Sequence, residues 1–100
     1  MKKIYIAGKI SGLSVEDYTN NFAKAERYLF GKGYEPVNPL DFTTENMSWN
    51  ECIKICLEVL ERCDGIYLMR NWKDSKGARL EYKKACALQK INKDFEINFE

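Results

Sequence analysis

The chain has 100 residues, 45% of them apolar and 31% charged, a balance that excludes a disordered polymer and predicts one domain over residues 1–100. Sixteen Lys and Arg against fifteen Asp and Glu leave a formal charge of +1 with mixed signs along the chain, which argues against a nucleic acid polymer as partner. No histidine is present, so Ser-His and Cys-His nucleophilic pairs are excluded, and acid-base work falls to carboxylates, Tyr, Lys or Cys.

The chain opens with "KKIYIAG", a β-rich run ending at Gly8. The apolar part of "MKKIYIAGKISG" is broken by Gly8 and Lys9. It is too short for a signal peptide or a membrane span, which predicts a cytoplasmic protein without membrane contact. Ser14, with Asp17 three residues later, marks a helix start; Tyr18, Phe22, Ala25 and Leu29 then recur at helical spacing until "GKG", Gly31 to Gly33, stops the helix. "YEPVNP" reads as a second strand, and its two prolines make it brief or place it at a sheet edge.

"LDFTTENM" reads as a loop, and Ser48 with Glu51 predicts a capping box. The helix that follows buries Ile53, Cys56, Leu57 and Leu60. "DGIYLM" supplies a third strand whose unbroken apolar run suits a position covered on both faces. The loop "RNWKDSKG" leads into a third helix over about 78–89, and the alternation of Phe95, Ile97 and Phe99 predicts a fourth strand. The cysteines Cys52, Cys56, Cys63 and Cys86 follow no zinc-ligand spacing and read as small reduced residues; neither a metal nor a cofactor is expected.

Strands alternating with helices predict an α/β fold: a flavodoxin-like (Rossmann-like) three-layer sandwich with a parallel sheet of about four strands in the order 2-1-3-4. Such sheets take ligands beyond the carboxyl ends of the strands where the order reverses, here between strands one and three. The flanking loops would be 8–13 and 70–77.

One residue interrupts this pattern. Ala78, Glu81, Ala85 and Leu88 form a single stripe on helix three, and the apolar members aim it at the sheet. Glu81 is then an inward carboxylate in the first helical turn, where the helix dipole would keep it ionised as nucleophile or base. The plainer alternative is a first-turn glutamate that merely suits the dipole.

Around it, Gly77 permits close backbone approach and Ser75 offers a hydroxyl, while Gly8, Ser11 and Gly12 with the intervening N–H groups form a turn able to cradle a phosphate. Every strand-to-helix unit needs such a turn, so that signal is weak. Lys9 and Arg79 would add charge or simply be solvated. Tyr5 is either a core aromatic or a phenol reaching Glu81. Trp72 either covers a flat ligand or packs on the surface. Asn38 stands at the ligand end of strand two, where turn chemistry explains it equally well. Asp64 falls at the opposite end of strand three and reads as a turn residue.

"KIYIAGKISG", "VNP" and "CDGIYLMRNWKDSKGARLE" resemble a small bacterial and phage domain family of unassigned function, grouped with the nucleoside 2-deoxyribosyltransferases. The wider superfamily includes 2'-deoxynucleoside 5'-phosphate N-hydrolases. The resemblance implies that Glu81 attacks the anomeric carbon of a deoxyribosyl group, that Tyr5 orients it, and that the Gly8 to Gly12 loop receives the sugar or its 5'-phosphate. Ser75 matches a position held by aspartate in the transferases and serine in the hydrolases.

The partner implied is a small-molecule nucleoside or nucleotide, bound within a homo-oligomer. There are two departures. Cys56 stands where the enzymes carry a helix-two aspartate thought to help the leaving base, and the longer C-terminal region of the transferases has no clear equivalent. Three readings follow: an enzyme cleaving or transferring at the N-glycosidic bond of a deoxynucleoside or its 5'-monophosphate, a non-catalytic nucleotide sensor, or a structural partner protein.

Overall fold

A computed structural model describes all residues, Met1–Glu100. Its elements run β1 (Lys3–Ala7), α1 (Val15–Gly31), β2 (Glu35–Val37), α2 (Trp49–Glu61), β3 (Gly65–Leu68), α3 (Lys76–Ile91) and β4 (Glu96–Phe99), with short 3-10 turns at Pro39–Asp41 and Trp72–Asp74. The four strands are parallel in the order β2-β1-β3-β4. No helix is long and apolar enough to cross a membrane.

The central pair carries the core. Tyr5 lies beside Ile66 and Ala7 beside Leu68, and these side chains face α2 and α3. The alternate residues Ile4, Ile6, Tyr67 and Met69 face α1 through Phe22, Ala25 and Leu29. All eight of these residues are at most 5% exposed, as a strand sandwiched between helices requires.

Local signals set the ends of the helices. Ser14 Oγ accepts the Asp17 N–H at the start of α1, and Ser48 with Glu51 closes a full capping box at the start of α2. At the end of α1, Gly33 takes φ +87°, and the Gly33 and Tyr34 N–H groups close on the Phe30 and Leu29 carbonyls, a Schellman motif. Two expectations need correction. The stretch read as a loop from Leu40 begins inside a 3-10 turn, because Asn38 Oδ1 accepts the Leu40 N–H. Helix three starts at Lys76 rather than near Ala78, because Ser75 Oγ already accepts the Ala78 N–H.

Gly65 marks the tightest point of the sheet. A Cβ there would meet the Glu96 carbonyl oxygen at 2.7 Å and Ile4 Cδ1 at 2.9 Å. The same empty face lets Lys2 Nζ reach Glu96 Oε1 at 2.7 Å across β3. Replacement by alanine must therefore spread backbone as well as side chain. Gly65→Ala is expected to destabilise the protein by about 1–3 kcal/mol through overpacking, read as a lower urea midpoint. An unchanged midpoint would mean that β3 and β4 are less closely joined than this.

Candidate functional site

Beyond the carboxyl end of β1 the sheet and helices leave a cavity of about 550 Å³, within the range of small-molecule sites. Its floor is the centre of β1 and the second turn of α3. Tyr5 points from β1 toward the α2 and α3 layer, and its hydroxyl donates a hydrogen bond to Glu81 Oε2. Glu81 is 5% exposed and Tyr5 is fully buried, yet both line the cavity. The thiol of Cys56, from α2, lies against the Tyr5 hydroxyl.

Burial governs the protons here. It pushes the Glu81 carboxyl up to about 8, opposed by the Tyr5 hydrogen bond, which favours the charged form. This differs from an ionised first-turn glutamate. With helix three beginning at Lys76, Glu81 falls in the second turn, past the reach of the N-terminal dipole. Burial also raises the Tyr5 phenol well above its ordinary value, with the Glu81 charge adding to it. The Cys56 thiol is pushed up to about 11, again by burial first. At neutral pH the floor is a protonated or hydrogen-bonded carboxyl beside a neutral phenol and a neutral thiol.

The residues singled out in the sequence separate into two groups. Tyr5, Gly8, Ser11, Ser75, Gly77 and Glu81 all line the cavity. At Gly8 the Met69 side chain packs over the bare Cα, so that a Cβ, 1.9 Å from Met69 Cε and 3.3 Å from Asn71 Oδ1, would displace the end of that methionine. Lys9, Gly12, Asn38 and Trp72 are outside the wall. The Lys9 N–H donates to Asn71 Oδ1 at 3.0 Å, which ties its loop to the loop after β3. Gly12 takes φ +88° in a turn closed by the Leu13 N–H on the Ile10 carbonyl. Asn38 is spent on the 3-10 cap. Trp72 packs against Tyr82 with ring centroids 4.7 Å apart and planes tilted by 44°, and Phe99 joins it.

The crevice is thus displaced from its expected place. It lies over the β2 side of β1 rather than between β1 and β3, and no residue from 70 to 74 reaches it. The segment after β2 closes it instead, folded down by the Thr43 hydroxyl on the Pro39 carbonyl at 2.8 Å. Thr43, Glu45, Met47 and Trp49 come from this side, and Tyr18 from α1. Trp49, Cys52, Ile53 and Cys56 form one stripe along the start of α2. Extending the Ile53–Cys56 face back by one turn would have found Trp49. Lys76 Nζ sits 4.8 Å from the centre of its ring.

A family model described as "Domain of unknown function (DUF4406)" matches residues 2–92. No curated protein matches the chain. Among solved structures it is similar to the CMP N-glycosidase BcmB of Clostridium botulinum, at 18% identity and TM-score 0.62, over 98% of this chain and 67% of that one. It is also similar to a 2-deoxyribosyltransferase from Leishmania mexicana, at 20% identity and TM-score 0.69, over 99% and 65%. A 2-deoxyribosyltransferase from Bacillus psychrosaccharolyticus aligns at 20% identity and TM-score 0.59, over 97% and 72%. These likenesses establish a shared fold, and the chain spans about two thirds of the length of the first two.

Because the folded protein holds the Glu81 proton up to about 8 while the unfolded chain releases it near 4.5, stability falls as pH rises through that window and levels off above it. The groups facing Glu81, Tyr5 and Cys56, stay neutral throughout. Relative to Glu81→Gln, the protein is expected to lose up to about 1.4 kcal/mol per pH unit between pH 5 and 8 in urea titrations. Parallel curves for the two proteins would show that Glu81 is ionised in the fold.

Proposed function

We propose that this chain, which belongs to the DUF4406 family, cleaves the N-glycosidic bond of a deoxynucleoside or deoxynucleoside 5'-monophosphate, with Glu81 as the group that meets the anomeric carbon. The observation that carries the reading is the buried Glu81 carboxyl, held by the Tyr5 hydroxyl and opening on a cavity of about 550 Å³. The fold shared with an N-glycosidase and two deoxyribosyltransferases supports the same reading.

In the proposed reaction the bond between C1' and the base nitrogen breaks, and its electron pair leaves with the base. Positive charge develops on the sugar, and the Glu81 carboxylate stabilises it or bonds to C1'. Water then adds its oxygen to C1', displacing Glu81 where a bond has formed, and releases a proton. Hydrolysis is preferred to base exchange because the cavity opens to solvent. The leaving base needs a proton as well. The Cys56 thiol, raised to about 11, holds its own too tightly to give it at neutral pH, so that proton comes from solvent. Turnover is therefore expected to be slow.

The second reading is a nucleoside or nucleotide sensor. The specific observation in its favour is the same Cys56, a neutral thiol lining the cavity at the position where the resemblance implies an acid. A rise in melting temperature with nucleoside or nucleotide, without base release, would select it.

Base release from a panel of deoxynucleosides and their 5'-monophosphates tests the proposal. Glu81→Gln is expected to lower the rate by at least about 10²-fold. For the wild type, kcat/KM should rise with pH and level off above about 8, as Glu81 ionises. Tyr5→Phe removes the hydrogen bond that favours the carboxylate and should move this limb to higher pH. A rate that survives Glu81→Gln would refute the assignment.

A further inference from the structure

Every ionisable side chain in the cavity wall is an acid. Its wall contains two carboxylates, Glu81 in the floor and Glu45 toward solvent, and neither a lysine nor an arginine. Glu45 is positioned by Tyr18, whose hydroxyl lies 3.4 Å from Glu45 Oε1, and both residues are part of the wall. Two lysines stand beside wall residues without being part of the wall. Lys76 Nζ lies over the Trp49 ring at 4.8 Å, and the Lys9 side chain runs beside Gly12, outside the wall.

Some of the nearby backbone donors are already paired. At the start of α3, the Ser75 hydroxyl already accepts the Ala78 N–H at 3.1 Å. The first turns of α1 and α2 carry their own acids, Glu16 and Asp17 in one and Glu51 in the other. A phosphate dianion entering this cavity would meet the Glu45 carboxylate and no side-chain cation in the wall itself. The remaining wall is hydroxyl and apolar: Ser11, Thr19, Thr43 and Thr44 beside Ile53 and Met47. That chemistry suits a neutral sugar with hydroxyls and a flat base.

We propose that the cavity selects uncharged nucleosides over their 5'-monophosphates, and that Glu45 sets this preference. The inference rests on the nucleoside reading given above and narrows it to one substrate class. Because burial keeps Glu81 largely protonated at neutral pH, Glu45 carries most of the repulsion.

Isothermal titration of the Glu81→Gln protein, which keeps ligands intact, decides the matter. Each deoxynucleoside is compared with its own 5'-monophosphate at pH 7.5 and low salt, before and after adding Glu45→Gln. Nucleosides are expected to bind at least about tenfold more tightly than their monophosphates. Since Glu45 is exposed and screened, Glu45→Gln should narrow the ratio by roughly threefold, with the larger change in monophosphate binding. Monophosphates binding as tightly as nucleosides, or a ratio indifferent to Glu45→Gln, would overturn this inference and leave the N-glycosidic reading standing. A folded protein that binds neither class would overturn both.

Discussion

The structure turns on one buried contact, the Tyr5 hydroxyl on the Glu81 carboxyl. A carboxyl removed from water needs a partner or a proton, and Glu81 has both. The contact constrains the elements around it. Tyr5 must be in the central strand with its side chain toward α3, which the pairing of Tyr5 with Ile66 fixes. Helix α3 must approach closely enough for a glutamate to reach the sheet, and alanines at 78 and 85 on either side of Glu81 allow that approach. A slip of one residue would bring Leu80 or Tyr82 inward and turn the carboxyl toward solvent.

The cavity follows from the unequal lengths of the strands. β2 has three residues and ends at Val37, so the chain leaves the sheet early on that side. A Pro39 turn carries it up and over to Ser48, where α2 begins. The space enclosed is bounded by the first turns of α2 and α3 and by the flank of α1. On the β3 side the chain does the opposite. The Met69 N–H continues the ladder onto the Ala7 carbonyl, Asn71 binds the Lys9 N–H, and Met69 fills the volume above Gly8. The crevice that strand order alone places between β1 and β3 is therefore filled by side chains, and the open volume is shifted toward β2.

This explains which features were legible in the residues. Strand order, the starts of α1 and α2 and the inward Glu81 depend on periodicity and capping, both local signals, and they could be read directly. Ser48 with Glu51 and the "GKG" stop are of this kind. The position of the wall depends on how an irregular segment folds back, and no periodicity encodes that. Trp72 and Trp49 show the contrast. Both sit near the start of a helix, and only three-dimensional packing sends Trp72 to Tyr82 and Phe99 and Trp49 to the cavity. Likewise the protonation of Glu81 depends on its burial and on the Tyr5 hydroxyl, which periodicity does not encode.

The same energetics bear on why a carboxyl stands there at all. The fold would be served as well by an amide or an apolar side chain of similar size, which would keep the packing of the stripe without a group that resists ionisation. Glu81 instead makes the protein less stable with each step toward its own ionisation, and that ionisation is what a reaction at an anomeric carbon requires. A group whose useful form is its destabilising form, facing a cavity, is hard to account for by packing. Tyr5 narrows the conflict, since its hydroxyl favours the carboxylate while remaining a neutral donor far below its own ionisation. Cys56 does not share the task. Its apolar, protonated thiol raises no charge in the floor, so the electrostatic demands of the site fall on a single carboxyl and the phenol that holds it.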